Sequence, residues 1–171
     1  GHGLDNSYSG LDRGFTKLGA GTLTLTADSS YNGGTTVAAG DLLLGSTSLT
    51  PLGTSFAPLT VTSGAQLNLN NHDLKYITAL NGGGAILQDN SGTVTLTFGN
   101  SDASGTFSGG VSKGSGVINM IKTGAGTQTF SGVNSYGSLT ISIWAFLASA
   151  SGSLDPCTIL FNYNNGLEIA C

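Results

Sequence analysis

Ten residues beginning at Lys17 return, altered but recognisable, 105 residues later (17 to 122). Lys17-Leu18-Gly19-Ala20-Gly21-Thr22-Leu23-Thr24-Leu25-Thr26 is echoed by Lys122-Thr123-Gly124-Ala125-Gly126-Thr127-Gln128-Thr129-Phe130-Ser131. Each copy runs on into a tyrosine and a glycine turn, Tyr31-Asn32-Gly33-Gly34 or Tyr136-Gly137, and then a strand-like segment, Thr35-Thr36-Val37 or Leu139-Thr140-Ile141. A long internal repeat restricts the chain to folds that stack like units on one another. Shorter echoes give the size of the step. Thr36-Val37-Ala38-Ala39-Gly40 resembles Thr60-Val61-Thr62-Ser63-Gly64, 24 residues on, and Thr140-Ile141 resembles Thr158-Ile159, 18 residues on. Steps near twenty residues fit one coil of a β-helix, in which every coil lays its strands on those of the last, and 171 residues make roughly seven to eight such coils.

The side-chain pattern agrees. In Thr22–Thr26, Leu23 and Leu25 are expected to point inward and Thr22, Thr24 and Thr26 outward; Thr93–Thr97 repeats this with Val94 and Leu96. A period of two places apolar residues in the core and hydroxyls on the surface, where β-branched threonine suits a strand. Gly33-Gly34, Gly82-Gly83-Gly84, Gly109-Gly110 and Gly114 punctuate the strands. The segment Asp73–Leu80 has the best helical spacing, yet its Tyr-Ile-Thr is equally strand-like. Only 8% of residues are charged, too few to coat surface helices, while Val, Ile and Leu are too frequent for a disordered chain. The expected fold is all-β, a parallel β-solenoid. The long repeat divides it into a unit at 15–120 and a second, divergent unit at 121–171 of one domain.

Charge excludes partners. Five Lys and Arg against nine Asp and Glu cannot build the basic face that nucleic acid or an anionic membrane requires. The apolar run Ile141–Ala148 is too short to span a bilayer as a helix and reads as a buried strand. The first ten residues lack the basic start and apolar core of a signal peptide, and Gly1-His2 reads as a tag scar. Cys157 and Cys171 either close a short terminal loop or remain one buried and one free thiol.

The stretch KLGAGTLTLTADSSYNGGTTVAAGDLLLG, Lys17–Gly45, resembles the passenger-associated strand repeat of bacterial autotransporters. That pattern is a Lys-x-Gly-x-Gly-Thr-Leu-x-Leu strand, a Tyr-x-Gly-Gly turn, then Thr-x-Val/Ile-x-x-Gly-x-Leu. The copy from Lys122 keeps the opening but has Gln128 at the first core leucine, loses a turn glycine and carries Trp144 where the next glycine would fall. Gly105–Val111 resembles the connecting coils of such passengers, so that the likeness covers roughly residues 15 to 140. The resemblance implies a right-handed parallel β-helix, secreted or displayed on the surface of a Gram-negative-type bacterium, serving as a stalk or adhesive passenger. The stretch after Trp144 fits less well and is expected to be a variant cap or a truncated end.

The leading expectation is a structural or adhesive, non-catalytic segment that self-associates through open solenoid ends. The competing readings are a module that binds or hydrolyses surface glycans or esters, and an ice-binding surface. For catalysis the candidates are His72 and Asp73, with Asp41 or Asp89 supplied from a neighbouring coil, because adjacent residues in extended chain point to opposite faces. For a sugar ligand they are the aromatic residues Tyr31, Tyr76 and Tyr136. Thr24, Thr60, Thr95 and Thr129 recur at offsets of 36, 35 and 34, longer than one coil, against a water-ordering ladder. No cofactor is expected: Gly19-Ala20-Gly21 lacks the rest of a dinucleotide fingerprint, and neither zinc spacing nor the calcium nonapeptide occurs.

Overall fold

A computed structural model describes residues 13–45 and 50–134, and the backbone of 158–162 and 166–170. Its strands are β1 (Phe15–Lys17), β2 (Thr22–Leu25), β3 (Thr35–Val37), β4 (Asp41–Leu44) and β5 (Ala57–Val61). They continue as β6 (Gln66–Asn68), β7 (Ile77–Asn81), β8 (Ala85–Gln88), β9 (Thr93–Phe98) and β10 (Gly105–Phe107). The last are β11 (Gly110–Lys113), β12 (Val117–Lys122), β13 (Gln128–Phe130), β14 (Thr158–Asn162) and β15 (Gly166–Ala170). No helix among the described residues is long and apolar enough to cross a membrane.

Strands that follow one another in sequence lie on different sides, and strands one coil apart pair in parallel. The first side stacks β1, β3, β5 and β7, continues through a bridge from Gly82 to Phe107 into β10, and then β13. The second side is β2, β4, β6, β8 and β11. The third is a sheet only in later coils, where β9 pairs with β12 and a single bridge joins Leu74 to Leu96. This is a parallel β-solenoid of about five coils among the described residues, where seven to eight are expected of the whole chain. The steps between paired residues run from 19, Thr22 to Asp41, to 25, Asp41 to Gln66. The 24-residue echo is one such step, since Thr36 pairs with Thr60. The 18-residue one is not a coil step at its far end: Thr158 begins β14, which pairs antiparallel with β15. Thr140, Trp144, the run 141–148 and both cysteines lie outside the described residues.

The core is built from columns rather than from layers. Leu23, Leu42, Leu67, Ile86 and Val111 stand above one another on the second side. The last four are fully buried, and each contributes about 1.5–3 kcal/mol by leaving water. Val94 and Leu96 point inward as the alternation requires. Leu23 stands in the same column as Leu42 yet is 37% exposed, because β2 is the last strand of its sheet among the described residues and β4 covers it from one direction alone. Asp73–Leu80 contains β7 and no helix. Where corners of successive coils meet, Gly109 lies against its equivalents; a Cβ there would stand 1.7 Å from the carbonyl oxygen of Gly84.

Gln128 occupies a position where the repeat elsewhere carries leucine. It is buried, and its amide donates to the carbonyl of Leu80 at 2.8 Å and accepts from the Leu80 N–H at 2.9 Å. Leu80 lies two coils below, and the side chain reaches it past Gly105, which offers no Cβ to block the route. The side-chain amide thus fills the place of a missing backbone rung between β7 and β10. Replacing Gln128 with Leu leaves two buried backbone groups without partners, and a loss of about 2 kcal/mol or more is expected in urea unfolding. An unchanged midpoint would contradict this role.

Candidate functional site

Turning the chain from one side to the next leaves backbone carbonyls that no neighbouring strand can pair, and buried ones must find another donor. The lysine of the long repeat supplies it. Lys17, the last residue of β1, is only 5% exposed and donates from Nζ to the carbonyls of Leu18 at 3.2 Å, Gly19 at 2.6 Å and Ala39 at 2.9 Å. Lys122, the last residue of β12, is equally buried and donates to Thr123 and Gly124, both at 2.7 Å. Gly19 and Gly124 take the left-handed conformation that the corner demands, with φ of 78° and 68°. Burial lowers the Lys122 pKa, an effect that the Asp102 carboxylate opposes. The two copies nevertheless turn different corners: the first leads from the first side to the second, the other from the third side to the first. With both lysines enclosed, two of the chain's five cations are withdrawn from the surface.

The imidazole candidate lies at another corner. Asn70 and Asn71, with φ of 46° and 67°, make a left-handed turn after β6. Gln88, one coil above and fully buried, holds that turn: its Oε1 accepts from the Asn71 N–H at 3.0 Å and its amide donates to Asn71 Oδ1. Asn70 donates to the Leu44 carbonyl at 2.5 Å and accepts from the Asn90 amide. His72 follows, buried rather than solvated. Its Nδ1 lies 3.1 Å from the Leu69 carbonyl and 2.9 Å from that of Asn70, so this nitrogen carries the hydrogen. Asp73 accepts the Thr95 N–H at 2.7 Å, occupying a rung on the edge of β9, and its other oxygen lies 4.0 Å from Lys75.

These residues surround a cavity of about 630 Å³. It opens where the third side changes from loop to strand: among the described residues a single backbone bridge, at Leu74, continues β9 downward. His72, Asp73 and Tyr76 line it together with Asn71, Asn90 and Leu52. Tyr76 is half-buried and meets Phe56 edge-to-face at 5.7 Å. Asp41 and Asp89 are not part of the lining. Asp41 receives the Thr22 hydroxyl at 3.3 Å, and Asp89 the Asn68 amide at 2.8 Å. Tyr31 is buried against Phe15, with its hydroxyl 2.6 Å from that of Thr35. Tyr136 lies outside the described residues. The sequence reading overlooked Asn70, Asn71 and Gln88 and did not connect Asn90 with them; the available signal was the return of Asn at 70 and 90, one coil apart.

The threonines singled out at 24, 60, 95 and 129 fall in β2, β5, β9 and β13, on three different sides. Register forms a different row. Thr16, Thr36 and Thr60 stand above one another, Asn81 interrupts the row and accepts the Thr106 N–H, and Thr106 pairs with Thr129.

Stacked coils of variable length, with lysine-glycine corners, define a solenoid of the kind that passenger repeats build. Residues 15–44 and 120–142 match the passenger-associated-transport-repeat family. Over 129 residues, 73% of the chain, the sequence is 40% identical to the adhesin BmaC autotransporter of Brucella suis biovar 1 (strain 1330). The chain spans about 4% of that relative's length. No solved structure matches it. The chain carries the passenger-associated repeat of autotransporters, and these likenesses mark it as a cell-surface or secreted protein of a Gram-negative bacterium.

Burial raises the Tyr31 pKa to about 12, only partly offset by the Thr35 hydroxyl. The fold binds the phenolic proton more tightly than the unfolded chain does, so the stability it contributes is complete below about pH 10 and is lost as pH rises towards 12. Phenolate absorbance should show one tyrosine titrating near 12, and Tyr31→Phe should abolish that step; its persistence in the variant would refute the assignment.

Proposed function

We propose that this chain is a rigid, non-catalytic segment of a surface-displayed passenger with an adhesive role. The supporting observation is that the polar side chains suggested for chemistry are engaged in holding the coils. His72 Nδ1 is directed at two carbonyls, Asp73 at a β9 N–H, Asp41 at Thr22 and Asp89 at Asn68. Asp73 is the single carboxylate among the described residues of the cavity, whereas glycoside hydrolysis ordinarily uses two. A passenger must also project its contact surface from the cell, and a parallel stack does so without hinges. The likeness to an autotransporter adhesin supports the same reading.

The isolated chain should also associate through its first coil. Among the described residues β1 and β2 end their sheets, and Leu18 and Leu23 are 73% and 37% exposed there. Unpaired strand edges beside apolar side chains recruit further strands. At the other end β15 pairs antiparallel with β13 and interrupts the parallel stack.

Displayed on a non-adherent laboratory bacterium, the chain should raise attachment to cultured epithelial cells several-fold, while turnover of nitrophenyl glycosides and esters by the purified protein stays at background. Attachment equal to that of the empty display scaffold, or saturable hydrolysis, would refute the reading. Light scattering should show mass increasing with concentration, and Leu23→Lys should hold the chain monomeric. A wild-type monomer at every concentration would dismiss end-to-end association.

A further inference from the structure

We propose that the cavity beside His72 and Tyr76 is a binding site for a short neutral oligosaccharide. The proposal rests on the adhesive reading and deepens it by giving it a ligand class.

Shape comes first. The cavity lies where a loop-sided coil meets a strand-sided one, so its walls come from successive coils of one hydrogen-bonded stack. Its most contorted wall, the left-handed Asn70-Asn71 turn, is pinned by the buried Gln88 and by Asn90 from the coil above. A site held in this way loses little freedom on binding, which matters for ligands whose contacts are individually weak. A volume of about 630 Å³ falls within the range of roughly 300–1,000 Å³ typical of small-molecule sites.

Chemistry selects the class. Leu52, Leu74, Ile77 and the ring of Tyr76 form the apolar part, with Tyr76 braced by Phe56. A pyranose presents a C–H face that packs on such a surface, while its hydroxyls need partners able both to donate and to accept. The rest of the lining offers these in Asn71, Asn90 and Thr93. Asn71 places its Oδ1 on Gln88 and Asn90 its Nδ2 on Asn70, so that Asn71 Nδ2 and Asn90 Oδ1 have no protein partner among the described residues. Two residues of the lining thus each keep one amide atom uncommitted among the described residues. Charge argues for a neutral ligand. Lys75 is the only cation in the described lining and Asp73 its only carboxylate, so the lining carries no excess positive charge to favour a sulfate, phosphate or sialic carboxylate.

The test uses the full 171-residue chain, labelled with 15N and titrated with lactose and with N,N′-diacetylchitobiose. At least one should give saturable amide shifts centred on residues 70–77, with a Kd on the order of millimolar. Tyr76→Ala should weaken that affinity about tenfold or more, as truncation of an aromatic anchor does, while Tyr76→Phe keeps it. An unchanged far-ultraviolet melting curve for both variants shows that the solenoid is intact. No saturable shift with either sugar, shifts centred elsewhere, or tighter binding of sialyllactose or of an acidic peptide would overturn the site. If the sugars fail while the displayed chain still attaches to cells, the site falls and the adhesive reading stands. If the sugars bind but attachment does not occur, the adhesive reading falls and the site stands.

Discussion

The structure depends on keeping every backbone polar group paired while the coils change length. Along the flat sides this is simple, because parallel strands about 4.8 Å apart exchange N–H and C=O groups rung by rung. At corners it is not. Successive steps differ by up to six residues, between 19 and 25, so not every group at a corner meets a partner in the next coil. Side chains fill the gaps. The ammonium groups of Lys17 and Lys122 take up corner carbonyls, the amides of Gln88 and Gln128 stand in for peptide groups, and Asp73 caps an N–H on β9. These are the residues that a hydrophobic pattern would reject from a core, and four of the five are buried.

That substitution explains what could be read in the sequence. The alternation in Thr93–Thr97 identifies inward and outward residues correctly, because the pleat that sets it runs unbroken through β9 and in register with β12. The echo between Thr36 and Thr60 measures a real coil step. Leu23 obeys the same pattern and is partly exposed, since a pattern carries no information about whether another strand lies beyond it. Gln128 looks like a flaw in the repeat until Gly105 and, beyond it, Leu80 are seen beneath it; the cause sits 48 residues away. The number of coils is only coarsely legible, for a related reason. The average step is legible, but the change to antiparallel pairing at β14 and β15 depends on partners that spacing does not reveal.

The candidate site was half legible in the same sense. His72, Asp73 and Tyr76 are conspicuous in a chain with so few ionisable residues, and they do share a cavity. Asp41 and Asp89 belong to other hydrogen bonds. Tyr31 is absorbed by packing. The asparagines that shape the cavity stay hidden because turn residues are commonplace in a chain of strands and corners. Their meaning comes from stacking, which brings Asn70 and Asn90 into contact across one coil.

The lysine-glycine corner has a wider consequence. One copy turns the chain from the first side to the second, and the other from the third to the first, yet the local geometry is the same. Such a corner is indifferent to phase. One recurring phrase thus serves two different turns of the coil, because its ammonium chiefly takes up carbonyls of its own corner rather than those of a fixed partner in the next coil.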